Sequence, residues 1–189
     1  RDCLLSRGLG DVYKRQALDG VDAIPSLTSF DRVILLMPSL DGLGTHLSDI
    51  MSWVSAGGSL MLAMPPDNSS YLQVIAPKLG IESAGYDYVK AESIVPSEDF
   101  MLGGGERYEL SDPFDSSLSV SLRETARVWA KTGDAGAPLI WSNDCGSGRT
   151  VVCNIGIYDK VMRGFYAAAI SLLGDATAYP VINLSLIHI

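Results

Sequence analysis

What this sequence has little of narrows it first. Three cysteines occur in 189 residues, and no two share a Cys-x-x-Cys spacing. Neither a zinc ribbon nor a disulfide framework is therefore spelled out. Histidine occurs twice, too rarely for a His-rich metal centre. Lys and Arg number 14 against 22 Asp and Glu, for a net charge of −8 and a pI near 4.6. That balance excludes nucleic acid as an unaided partner, because phosphate contacts need clustered cations. No apolar run approaches the roughly 18 residues of a membrane span. Internal repeats and low-complexity tracts are absent as well. What remains is 47% hydrophobic and 19% charged, the composition of a folded domain, at a length that buries one real core.

The two ends read as foreign. Residues 1–16 contain Asp-Val-Tyr-Lys-Arg-Gln and residues 184–189 read Leu-Ser-Leu-Ile-His-Ile; both resemble translated sequencing adapters at the ends of metagenomic gene fragments. They are set aside as a fusion scar would be, leaving residues 17–183 as the domain. On that reading neither native terminus is in the chain, and the absence of a leader says nothing about compartment. The inner segment holds Cys145, Cys153 and His46 as its only cysteines and histidine.

The organising stretch is 32–66. Residues 33–37 form an unbroken apolar run, which suits a strand covered on both faces of a parallel sheet. Residues 45–56 place Leu47, Ile50, Met51 and Val54 at helical spacing, and Gly57-Gly58 stops that helix. A second apolar run follows at 60–64. Strand, helix and strand make one parallel crossover unit, expected at the sheet centre. Ser69 or Ser70 caps a short helix over 71–79, which Pro77 shortens. Tyr86, Tyr88 and Val89 suggest a strand, and residues 92–115 resist reading, with turn chemistry at 112–115. Alternation marks strands at 118–123 and 126–130. A hairpin over 139–155 turns at a five-residue tip, 144–148, and a last helix begins with Asp159 as its cap.

Several constellations bear on chemistry. Cys153 lies mid-strand among Val151, Val152 and Ile155, where packing is its role. Cys145 sits in the hairpin tip Asn143-Asp144-Cys145-Gly146-Ser147-Gly148 with no helix behind it to lower its pKa. His46 stands alone in the first turn of its helix, without a partner at ligand spacing. Gly42-Leu43-Gly44 begins a dinucleotide fingerprint, but Leu47 occupies the third glycine position. Ser39 and Asp41, after the first strand, and Asp67 and Asn68, after the second, fall at the carboxyl ends of parallel strands, where open α/β sheets bind ligands. They are the expected ligand contacts. Glu98, Asp99, Glu106 and Glu109 read as a solvated acidic face, and Arg123, Arg127 and Lys131 as strand exteriors. No cofactor, metal or catalytic residue is expected.

The hairpin also carries a resemblance. Pro138-Leu139-Ile140-Trp141, then Gly146-Ser147-Gly148-Arg149 and Val151-Val152-Cys153-Asn154, resemble the closing strands of amidotransferase-like domains. Residues 159–164 and 179–183 extend the match. The segment 17–183 is similar to the N-terminal part of large bacterial proteins of unknown function in which such a domain precedes a polysaccharide-deacetylase-like one, some in Pel-type exopolysaccharide operons. The resemblance implies a class I glutamine amidotransferase-like (flavodoxin-like) three-layer α/β sandwich with a late antiparallel hairpin. It also implies a covalently linked deacetylase-like domain after Asn183, a polysaccharide partner and an envelope setting. The cysteine and histidine of working amidotransferases have no counterpart at the expected elbow, since the strand at 59–65 leads into Pro66-Asp67-Asn68. The expectation is a noncatalytic scaffold or saccharide-recognition domain; Trp129 and Trp141 are candidate sugar-stacking rings, with buried packing the favoured role of each. The alternative is a divergent hydrolase using Cys145.

Overall fold

A computed structural model describes residues 26–36, 40–63, 68–101, 103–155 and 160–174. Seven strands form one mixed sheet in the order β1-β2-β7-β6-β5-β3-β4. They are β1 (Arg32–Leu36), β2 (Ser59–Ala63), β3 (Ile81–Pro96), β4 (Tyr108–Leu122), β5 (Arg127–Thr132), β6 (Pro138–Cys145) and β7 (Gly148–Cys153). Three helices accompany them: α1 (His46–Ser55), α2 (Ser70–Ile75) and α3 (Lys160–Ser171). Parallel pairing joins β1 to β2 and β2 to β7, while β6, β5, β3 and β4 continue the sheet antiparallel.

The strand–helix–strand unit forms as its apolar runs require. Leu60 and Leu62 of β2 face one core with Leu47, Ile50, Met51 and Val54 of α1, whereas Met61 and Ala63 face the other core with Phe165, Ala168 and Ala169 of α3. A run without polar alternation is what a strand buried on both sides needs. Among the described residues, however, β1 is the edge of the sheet and not its centre, and Ile34 and Leu36 stay 41% and 54% exposed. An apolar run of five residues reports a strand, not its rank in the sheet.

The flavodoxin-like three-layer sandwich is not the architecture of this chain. Strand outweighs helix, and the sheet is mixed and curled into a half-barrel. Between α2 and α3 the described chain is a succession of five strands, four of them antiparallel to their predecessors in the sheet; a doubly wound sheet needs a helix after each strand instead. The element that changes the architecture is the β3–β4 ribbon, 16 and 15 residues long. It escapes pattern reading because its pairing is irregular. Between Ala84 and Tyr88 β3 advances four residues while β4 moves only from Val120 to Leu118. Between Ala91 and Ser93 the excess lies on β4, from Phe114 to Glu109. Residues 112–115, with turn chemistry, are absorbed into β4 at that irregularity. Bulges break the period of two on which strand reading depends.

The ribbon curls back on the sheet. Asn154, directly after β7 and buried, donates from Nδ2 to the Leu118 carbonyl at 2.7 Å, and its Oδ1 accepts from the Leu118 N–H at 3.1 Å. The last strand in sheet order is thereby bonded to the end of the third. Nearer the Ile81–Leu122 end, the ribbon is held by the turn after α2: Trp141 Nε1 donates to Leu79 O at 2.9 Å, and the Arg123 N–H donates to Gly80 O at 2.9 Å.

The hairpin tip is tighter than expected. Cys145 pairs with Gly148, leaving Gly146-Ser147 as the turn, with Gly146 at φ 65. The tip closes the carboxyl end of α1. Ser147 N–H donates to Ser55 O at 3.0 Å and Arg149 N–H to Gly58 O at 3.2 Å, meeting carbonyls that a helix end leaves unsatisfied. A Cβ on Gly148 would overlap the carbonyl oxygens of Val54 and Gly58.

Two substitutions test these contacts. Gly148→Ala forces overpacking against backbone and lowers stability by about 2 kcal/mol, read as a lower urea midpoint at unchanged slope. Asn154→Ala leaves both buried polar groups of Leu118 without their partner, costing about 2–3 kcal/mol. Amide exchange in that variant accelerates first around residues 117–120, and equal protection there in wild type and variant disproves the clamp.

Candidate functional site

The expected ligand residues divide between described and undescribed positions. Ser39 and Asp67 lie outside the described residues. Asp41 opens a single 3-10 turn (Asp41–Leu43) beyond β1 and is exposed. Asn68 follows β2, and its amide is committed to the ribbon: Nδ2 donates to Ala84 O and Gly85 O, each at 3.0 Å. Ser69 caps α2 by accepting from the Leu72 N–H at 3.3 Å. Asn68 therefore stands beside the bulge that contains Gly85, Tyr86 and Asp87, and the carboxyl end of β7 lies against the same ribbon through Asn154 on Leu118, the register partner of Tyr88.

The candidate nucleophile and base are kept apart. His46 is the first residue of α1, with Nδ1 4.0 Å from Asp49 Oδ2. Cys145 is buried, its Sγ 3.4 Å from the hydroxyl of Ser55, the last residue of the same helix. Nine residues of helix at 1.5 Å rise separate the two ends by about 14 Å. A cysteine–histidine pair needs hydrogen-bond reach, so these two do not form one. Cys153 is fully buried between Ala63 and Ile140, its register partners, and desolvation pushes its thiol well above the usual range. Burial disfavours the thiolate, the form that attacks.

Both tryptophans proposed for sugar stacking are interior. Trp141 is 1% exposed with its indole N–H on Leu79 O, and Trp129 donates to the Ser142 hydroxyl at 2.8 Å. Trp129 also packs with Phe100, 5.9 Å between ring centroids, under the Arg127 guanidinium, 3.9 Å from the ring centre. Phe100 and Phe165 continue this aromatic cluster to α3. Phe100 is buried, so the loop after β3 does not present it to a partner.

The acidic cluster is solvated and partly paired. Arg107 bridges Glu109 at 2.7 Å and Asp134 at 2.6 Å, and these bonds raise its already high pKa. Arg127 pairs with Asp99. These are exposed ion pairs of the kind that adds little stability. Among the described residues no three His, Cys, Asp or Glu side chains are grouped to hold a metal ion. No helix there is long and apolar enough to cross a membrane.

Large side chains left in solvent were not singled out from the sequence. Tyr86 is 79% exposed and Tyr88 53%. Their signal was available: in Gly85-Tyr86-Asp87-Tyr88 both aromatics have polar or glycine neighbours, and the register break beside them denies the pair a regular place in a core.

Fold and edge together define a mixed-sheet α/β domain whose parallel strands end beside a curled β-ribbon. The chain belongs to the bacterial family described as "uncharacterised protein conserved in bacteria (DUF2194)", whose pattern it matches over residues 7–123 and 111–189. No curated protein matches it. Among solved structures it is similar to the β-galactosidase from Rahnella sp. R3, at 20% identity and a TM-score of 0.55, covering 78% of this chain and 23% of that one. The β-galactosidase from Bacillus circulans sp. alkalophilus is similar at 16% identity and a TM-score of 0.54, with 78% and 23% covered. The cytoplasmic protein STM3548 from Salmonella typhimurium shares the fold at 14% identity and a TM-score of 0.58, over 80% of this chain and 76% of that one. This chain thus spans under a quarter of the length of those β-galactosidases, and the likeness is one of fold.

Thiol chemistry checks this geometry. In the native protein iodoacetamide leaves the Cys145 and Cys153 peptides unmodified on a timescale that labels them fully in urea; rapid native labelling of Cys145 contradicts its burial. The raised Cys153 pKa also has a sign. The folded thiol stays protonated while the unfolded one ionises near 8.5, so its contribution is full below that pH and is lost as pH rises above it. The slope is at most about 1.4 kcal/mol per pH unit. Urea midpoints between pH 8 and 10 fall more steeply for wild type than for Cys153→Val.

Proposed function

We propose that this chain is a noncatalytic saccharide-recognition or scaffold domain of a larger bacterial protein of exopolysaccharide metabolism, acting beside a polysaccharide-deacetylase-like domain beyond Asn183 in the cell envelope. The observation that carries the noncatalytic part is the separation of Cys145 and His46 by the full length of α1, with Cys145 buried against Ser55. A domain of this kind works by holding a ligand, and the carboxyl ends of β1 and β2, with Asp41 and Asn68 among the described residues, are where an open sheet offers one a place. The deacetylase context rests on the sequence resemblance of 137–154, and the saccharide on that same context.

The expected outcome is that the protein turns over neither glutamine nor simple amides above background, and that Cys145→Ser leaves this unchanged. The same protein retains soluble polysaccharide fragments in affinity electrophoresis. Glutaminase activity abolished by Cys145→Ser would reject the reading in favour of a thiol hydrolase.

A further inference from the structure

Resting on the saccharide reading, we propose that the bulge of β3 around Tyr86 and Tyr88 is the docking surface, and that its ligand is a glycan carrying free amines. The geometry comes first. Two more residues of β3 than of β4 are taken up between Ala84 and Tyr88, and such a bulge re-aims side chains out of the regular ladder. Tyr86 and Tyr88 are the result: two of the largest exposed apolar surfaces of the described chain. Asn68 donates to the Ala84 and Gly85 carbonyls of this bulge, and its own Oδ1 has no hydrogen-bond partner among the described residues. Tyr88 pairs with Leu118, which Asn154 bonds directly after β7, so the tyrosines stand toward the carboxyl end of that parallel strand.

The surroundings select the ligand. Glu82, Ser83, Asp87, Lys90 and Glu92 are all exposed on the same strand, whereas the centre of a protein–protein patch is depleted in charge. A tyrosine ring presents an apolar face with a polar tip, which fits the C–H face of a pyranose ringed by hydroxyls. The charge bias is negative: the strand that carries the aromatics exposes Glu82, Asp87 and Glu92 against one cation, Lys90, which pairs with Glu92 at 2.6 Å, and the whole chain carries −8. An ammonium group is attracted both by the face of an aromatic ring and by nearby carboxylates. Exposed tyrosines on a strand with an excess of carboxylates thus favour an amino sugar in its deacetylated form over its N-acetylated counterpart, and disfavour a uronic-acid polymer.

Isothermal titration of the full chain with three probes tests this: a glucosamine oligomer with its amines protonated, the same oligomer fully N-acetylated, and an oligogalacturonate. The expected result is binding of the first, at least fivefold weaker binding of the second, and none of the third. Raised salt weakens the first. Tyr86→Ala/Tyr88→Ala weakens it at least tenfold with an unchanged thermal melt, as suits exposed side chains, and Val74→Ser, at another exposed apolar position, leaves it as in wild type. Undiminished binding by the double tyrosine variant overturns this surface while leaving saccharide recognition standing. Binding of the acetylated or acidic probe at equal strength overturns the ligand assignment. If none of the three binds wild type, both the surface and the saccharide reading fall. A dimer in sedimentation that the tyrosine substitutions disperse overturns the proposal in favour of a self-association face.

Discussion

The backbone of a strand at the end of a sheet has N–H and C=O groups that no further strand satisfies, and in this protein one asparagine side chain answers that need at Leu118. Asn154 meets both polar groups of the residue, one with each end of its amide. Buried backbone groups must be paired, so this contact fixes where the long ribbon lies. From that placement follow the burial of Leu118 and Ile81 with the α1 side of the core, the docking of Arg123 on the turn after α2, and the curl of the sheet. Asn68 adds the same kind of fastening at Ala84 and Gly85. Two asparagines thus tie the carboxyl ends of the parallel strands to a ribbon that pairs elsewhere in the sheet.

Helix α1 plays the opposite part, as a spacer. Its amino end carries His46, and its carboxyl end receives the Gly146-Ser147 turn and Cys145. Glycines in that turn answer a steric demand, because the tip touches the helix backbone directly. The glycine-rich tip of the hairpin is, in the fold, a closure for a helix end. Chemistry that requires sulfur and imidazole together has no place between ends held so far apart.

The molecule combines an exposed acid at Asp41, Asn68 bonded to the ribbon and a bulge that turns Tyr86 and Tyr88 into solvent. The tryptophans serve the interior, the role the sequence favoured for them, through their indole N–H groups. The fold is shared with part of two β-galactosidases and with most of the Salmonella typhimurium protein STM3548.

What the sequence determined by itself was local. The apolar runs of β2 and β7, the helical face of α1, the Ser69 cap and the β6–β7 hairpin were legible because each depends on neighbours within a few residues. Asp41 and Asn68 were singled out by their positions after strands, a rule of chain order. Tertiary structure alone decided the rank of β1 as an edge, the curl of the β3–β4 ribbon and the exposure of Tyr86 and Tyr88. The reason is physical. A bulge shifts every later side chain to the other face, and a contact such as Asn154 with Leu118, 36 residues apart, leaves no periodic trace in the chain that makes it.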